Sequence, residues 1–155
     1  MASKTTPRAQ PKGCTNFKIR QLARLLSRHY DAELGKVGLK TTQYALLKRV
    51  LTYGPLAPGE LAHLMGLEPS TLTRNLQPLI AAGWLLQVAG SNARSRQVEI
   101  TDAGRAKIEE ALAYWKVAQL AINNRLGVER VAALHALIDD CVDELNHEEV
   151  MLDIT

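Results

Sequence analysis

Residues 58–101 constrain the fold more than any other stretch of this chain. PGELAHLMG reads as a short helix closed by Gly66, and LEPSTLTRNLQPLIAAG as a longer one closed by Gly83. Pro58 and Pro69 each suit a first helical position, where the missing amide proton has no helical partner to lose. The glycines suit the left-handed residue just beyond a helix end, and Glu60 complements the positive start of its helix. WLLQVAG and RSRQVEIT then read as two strands about a polar tip, Ser91-Asn92-Ala93. Leu86, Val88, Val98 and Ile100 are the alternating positions expected to be half-buried. Two helices with a tight turn between them, followed by a hairpin, suit a helix laid in a DNA major groove while the hairpin reaches the flanking backbone.

Helical periodicity accounts for the remainder. A first helix is expected over 15–34, with Phe17, Leu22, Leu25, Leu26 and Tyr30 on its apolar side. After a glycine turn, Thr41 is the expected N-cap of a second helix to residue 53 that buries Leu46, Leu47, Val50 and Leu51. Gly54-Pro55 stops it. Leu61, Ala62, Leu64 and Met65 would face inward on the third helix, and Leu72, Leu76, Leu79 and Ile80 on the fourth. Pro78 removes one backbone hydrogen bond and should bend the last turn of the fourth helix. Thr101-Asp102 opens a fifth helix to about residue 123, carrying Ile108, Leu112, Trp115 and Leu120. A sixth over 128–150 carries Val131, Leu134, Ile138, Cys141 and Leu145. The expected fold is mainly α with one two-stranded β hairpin.

Charge distribution matters more than the net +3 of this 155-residue chain. Residues 1–30 hold seven bases and no acid, whereas residues 125–155 hold eight acids against two bases. Such ends attract each other, within one chain or across a dimer. Residues 69–98 carry Arg74, Arg94 and Arg96 with no acid, the local basic surface that phosphate binding requires. No apolar run approaches the ~20 residues of a membrane span. MASKTTPRAQPKG is followed by no continuous apolar segment, so a mobile basic arm over 1–14 is expected rather than a signal peptide. Two cysteines, Cys14 and Cys141, make no disulfide framework or zinc motif, and a reducing, cytoplasmic setting is the expectation. The four histidines show no metal-ligand spacing. A Gly-rich phosphate loop, a nucleophile elbow and a convincing carboxylate pair are all missing, which argues against an enzyme and against a cofactor.

Four stretches in order carry a family resemblance: GLKTTQYALLKRV, LAHLMGLEPSTLTRNLQPLIAAGWL, the hairpin from Asn92 to Thr101, and ITDAGRAK. Over residues 14–149 the chain resembles the MarR family of winged helix-turn-helix transcriptional regulators. The resemblance implies an N-terminal dimerisation helix over 15–40, a winged helix-turn-helix DNA-binding lobe with a two-stranded β wing over 41–101, and C-terminal dimerisation helices over 102–155. It implies a homodimer built from the first, fifth and sixth helices. It also implies a repressor released from a pseudo-palindromic double-stranded operator by a small anionic or phenolic effector. The family's wing begins with an Asp two residues before an Arg. Arg94, Val98, Ile100 and Thr101 fit that pattern, but Asn92 occupies the Asp position and offers an amide oxygen in place of a charge.

On that frame Arg74 is the leading candidate for a base-edge or phosphate contact, since its guanidinium is a planar fork. Ser70 and Thr71 suit phosphate or plain capping at a helix start. Thr73, Asn75 and Gln77 can hydrogen-bond bases or face water, and Arg94 and Arg96 can enter a minor groove or hold phosphates. Gln43 can touch backbone or lie idle at the surface. An effector between the dimerisation helices and the DNA-binding lobe would meet Arg24, Arg28, His29, Tyr30 and Trp115 or Tyr114. The plainer reading of that first-helix face is pairing with the acidic last helix of a partner chain. One branch of the family senses oxidation through a cysteine near the start of the first helix; alignment on GLKTTQY puts that position nearer Asn16, leaving Cys14 as a redox candidate by its basic neighbours and helix start. Cys141 is expected to act as a small apolar side chain. Two alternatives stay open: a winged-helix module for protein contact, which predicts an apolar or acidic fourth-helix face, and a cysteine-based redox regulator.

Overall fold

The structure, a computed structural model, describes residues 10–92 and 94–152, with residues 147–152 described by backbone alone. Most of the expected basic arm, residue 93 of the wing tip, and Glu148, Glu149 and Asp153 of the acidic end therefore lie outside the described side chains. Helices α1 (Thr15–Leu34), α2 (Thr41–Tyr53), α3 (Pro58–Met65) and α4 (Pro69–Ala81) precede strands β1 (Leu85–Ala89) and β2 (Arg96–Ile100). Helices α5 (Asp102–Leu126) and α6 (Val128–Leu152) follow, and a 3-10 turn, Gly35–Val37, joins α1 to α2.

The local causes are visible at the helix ends. Pro58 and Pro69 open α3 and α4 as expected, and the Glu60 carboxylate accepts the Ala57 amide at 2.8 Å. Gly66 and Gly83 take φ of 61° and 75°, the left-handed conformation that lets the chain reverse without a Cβ penalty. The Thr101 hydroxyl caps α5 by accepting from the Gly104 amide at 3.0 Å and donates to the Gly83 carbonyl at 2.6 Å. One side chain thus ties the turn after α4 to the start of the long α5. The second helix departs from expectation: its N-cap is Lys40, and Thr41 is its first helical residue. The capping oxygen comes instead from α1, where Asp31 accepts the Thr41 amide at 2.6 Å.

A core of leucines from α2, α3 and α4, with Leu34, Val37 and Leu39 beneath them, supports the lobe. The strands pair antiparallel with Leu85 opposite Ile100 and Gln87 opposite Val98. Because directly opposed residues share a face, Leu85, and not Leu86, joins Val98 and Ile100 inward. Leu85 is 1% exposed, whereas Leu86 is 38% exposed. Leu56 adds a third rung: its amide and carbonyl exchange hydrogen bonds with Val98 at 3.2 and 2.8 Å. The two-stranded wing is thereby stitched to the loop after α2.

Several expected inward residues are exposed. Leu64 on α3, Phe17 and Leu25 on α1, Leu112 and Leu120 on α5, and Ile138, Cys141 and Leu145 on α6 all face solvent in the single chain. On α5, which packs on α1 and α2, the buried stripe is Gly104, Ile108, Ala111, Ala118 and Ile122. Helix α6 packs on α5 and leaves Leu137, Ile138, Val142 and Leu145 uncovered. The basic α1 and acidic α6 form no ion pair among the described residues, whose two salt bridges, Lys36–Glu33 and Lys107–Glu110, are both local. No helix of the described residues is long and apolar enough to cross a membrane.

Candidate nucleic-acid interface

The α4 helix buries Leu72, Leu76 and Leu79 and leaves Ser70, Thr73, Arg74 and Gln77 exposed, with Thr71 and Asn75 half-buried at the edge. The amphipathic spacing alone produces this division. Thr73 is partly occupied already, since its hydroxyl donates to the Pro69 carbonyl at 2.9 Å. The Arg74 guanidinium lies 3.5 Å from the Thr71 hydroxyl and has no acidic partner among the described residues. An unpaired guanidinium on a polar helix face keeps its bidentate donor fork available to phosphate or a guanine edge.

At the wing, Asn92 performs the turn chemistry expected of its position. Its Oδ1 accepts the Arg94 and Ser95 amides at 3.2 and 2.8 Å, and the Ser95 hydroxyl donates back to the Asn92 carbonyl at 3.0 Å. The amide oxygen therefore closes the tip without a negative charge, leaving the Arg94 and Arg96 side chains exposed; Arg96 makes only a long 3.5 Å contact to Gln87.

At the opening of α2, sequence reasoning named Gln43 but passed over Lys40 and Thr42. Lys40, Thr42 and Gln43 line a cleft of about 220 Å³ together with Arg74, Asn75 and Pro78 of α4. Gln43 has a structural task there, accepting the Lys40 amide on its Oε1 at 2.9 Å. The signal for Lys40 was a cation placed just before a helix start; only the fold reveals that this start abuts α4.

The proposed effector residues do not converge on one cavity. Arg24, Arg28 and His29 are exposed on α1, and His29 borders a small apolar hollow of about 180 Å³ with Leu22, Leu25, Leu26, Ile122, Arg125 and Leu126. Tyr30 turns inward and donates its phenol proton to Gln119 Oε1, whose amide in turn donates to Asn123 at 2.9 Å. Trp115, beside Tyr30, also borders a second cleft, of about 410 Å³, between α2 and α5, whose walls include Tyr44, Lys48, Arg49, Thr52 and Leu112. The Tyr44 and Trp115 rings stack with centroids 6.4 Å apart, and Tyr30 sits 6.5 Å from the same indole. Burial raises the Tyr30 and Tyr44 phenols above their ordinary pKa of 10.0 because the ionised form would lose its water. Cys14 is exposed at the N-cap of α1, and Cys141 is exposed on α6. Among the described residues no group of three or more His, Cys, Asp or Glu side chains is placed to hold a metal ion.

Comparison with known proteins gives the arrangement a setting. The MarR family model matches residues 39–92, which run from the turn before α2 to the wing tip. The protein called uncharacterized HTH-type transcriptional regulator YwoH, from Bacillus subtilis (strain 168), is 30% identical over 93 residues, 60% of this chain and 68% of its own length. The M. tuberculosis transcriptional regulator MosR, in a crystal structure in complex with DNA, is 32% identical with a TM-score of 0.69, covering 83% of this chain and 98% of that one. Mutant MarR from E. coli, complexed with operator DNA, superposes with a TM-score of 0.74 over 81% of this chain and 91% of its own, a likeness of fold alone at 20% identity.

Proposed function

This chain belongs to the MarR family of transcriptional regulators, and we propose that it acts as a homodimeric DNA-binding repressor that a small anionic or phenolic compound releases from its operator. The observation that carries the reading is the outer face of α4: exposed Ser70, Thr73, Arg74 and Gln77, no acid among them, and a guanidinium free of any salt bridge among the described residues. A protein-docking module would present an apolar or acidic face there. MosR, the DNA-bound relative at 32% identity, supports the same reading.

In a symmetric dimer the two α4 helices enter successive major grooves about 34 Å apart, so the operator is a pseudo-palindrome with half-sites about one turn apart. Arg94 and Arg96 at the wing reach the flanking backbone or minor groove. The exposed apolar faces of α1, α5 and α6 supply the dimer surface, with Phe17 62% and Leu145 65% exposed in the isolated chain. The effector seat we favour is the α2–α5 cleft, where a stacked Tyr44–Trp115 floor meets the cations Lys48 and Arg49. That cleft joins the DNA-binding lobe to the dimer scaffold, so an occupant can favour one lobe orientation over another. It shifts DNA binding only by its difference in affinity for the two.

Selection from a random duplex library with the full chain tests the reading. A pseudo-palindromic motif with half-sites about 10 base pairs apart is the expected result. Failure to enrich any motif would contradict it. For the effector, salicylate serves as probe: it should quench Trp115 fluorescence, lose that quenching in Trp115→Phe, and release the selected duplex.

A further inference from the structure

We propose that the cleft between the start of α2 and the middle of α4 seats one phosphate of the DNA backbone, held between the Lys40 ammonium and the Arg74 guanidinium. The proposal rests on the DNA-binding reading and extends it to a residue outside both the recognition helix and the wing.

Chemistry converges on this cleft from two elements. Lys40 and Thr42 approach from the α2 side, and Arg74 and Asn75 from α4. Its volume, about 220 Å³, lies below the roughly 300 Å³ at which pockets for organic ligands begin. Two cations and no carboxylate line it, and neither cation has an ion-pair partner among the described residues. Like charges facing a shared space repel, and an anion between them turns that repulsion into attraction.

The start of α2 also carries unpartnered backbone donors. Four amides open a helix without helical partners. At α2, Gln43 takes the Lys40 amide and Asp31 takes the Thr41 amide, while those of Thr42 and Gln43 have no partner among the described residues. Asp31, the nearby carboxylate, caps from α1 and does not line the cleft. An ammonium, a guanidinium, a threonine hydroxyl and open amides together form a donor set for a tetrahedral oxyanion.

Position favours a phosphate of DNA over a free one. Arg74 and Asn75 belong both to the cleft and to the polar side of α4. A recognition helix lying in the major groove carries the cleft to the groove edge, where the backbone passes. Lys40 then fixes the depth and register of α4, a contact that positions the protein and carries no sequence information itself.

The test uses the full chain, a duplex enriched from the random library, and a scrambled duplex, titrated between 50 and 250 mM salt. Lys40→Gln should reduce the magnitude of the log–log salt slope by about 0.9 per subunit. It should weaken both duplexes by the same factor and leave their ratio unchanged, while Lys40→Arg restores the slope. Circular dichroism and denaturation midpoints establish that the variants fold. An unchanged slope in folded Lys40→Gln overturns the proposal, as does a loss confined to the enriched duplex, which would make Lys40 a reader of bases. Inorganic phosphate at constant ionic strength separates the other source: if it raises the melting temperature of the wild type but not of Lys40→Gln, with equal DNA slopes, the cleft is a free-phosphate site and the proposal fails. Absence of binding by the wild type to every duplex would instead overturn the DNA-binding reading, and this seat with it.

Discussion

At the wing tip, Asn92 holds two backbone amides on one amide oxygen, at 3.2 and 2.8 Å, where the family pattern places an aspartate. The turn needs an acceptor, not a charge, so the substitution preserves geometry and removes a negative group from beside Arg94 and Arg96. On the recognition helix, the equivalent single-residue question is Arg74. With its guanidinium on the same phosphate as Lys40, Arg74→Ala should weaken binding to the enriched and scrambled duplexes alike and reduce the salt slope by about 1 per subunit, as read by fluorescence anisotropy. Unchanged affinity would remove Arg74 from the interface. Two phenols, Tyr30 half-buried and Tyr44 buried, make stability depend on pH. Tyr30 and Tyr44 have pKa values raised by burial, so above pH 10.0 the unfolded chain ionises first and holds fewer protons than the fold. Their contribution is complete below that pH and is lost as pH rises through the folded-state values. Urea midpoints between pH 9 and 11 should fall more steeply for the wild type than for a Tyr30→Phe/Tyr44→Phe variant.

Among the elements, α5 depends most on what it omits. A Cβ at Gly104 would overlap the Trp84 carbonyl oxygen and the Ile100 side chain, since Thr101 draws the start of α5 against the end of α4. Gly104→Ala should cost about 1–3 kcal/mol of stability, the range for forced overpacking, measured by denaturant unfolding; a neutral effect would mean that this junction yields easily. The sequence made the elements legible because their ends are marked: Pro58, Pro69, Gly66, Gly83 and Thr101 all stand where proline, glycine and a capping hydroxyl were expected. Facing was less legible. WLLQ holds two adjacent leucines, so period-two spacing fits either Leu85 or Leu86, and only the pairing with Ile100 decides. On α5, hydrophobicity pointed to Leu112 and Leu120, but the face that turns inward carries Ala111 and Ala118 instead. The polar face of α4 was readable from its own residues. The Lys40 cleft was not, because it joins residues more than thirty positions apart in the chain.

For the whole molecule, most of the uncovered apolar residues share a location, although Tyr53, Leu64 and Leu86 are exposed on the lobe itself. Phe17, Ile19 and Leu25 on α1, Leu120 on α5, and Leu137, Val142 and Leu145 on α6 all lie outside the lobe that α2, α3, α4 and the wing enclose. The lobe's core is closed by Leu34 of α1 and by Ile108 and Ala111 of α5, while the outer faces of the long helices stay apolar and open to a second copy. The charge asymmetry fits the same scheme: basic α1 and acidic α6 form no ion pair among the described residues and stay open to a second chain. A Leu137→Asp/Val142→Asp variant should therefore sediment as a monomer and lose operator binding while keeping its helical signal. The most direct measurement of the central claim is titration of the wild-type chain against the enriched and scrambled duplexes at low and moderate salt, with stoichiometry read by analytical ultracentrifugation. Two chains per enriched duplex, bound far more tightly than to the scrambled one and weakening steeply with salt, is the predicted result; equal, weak binding to both would contradict it.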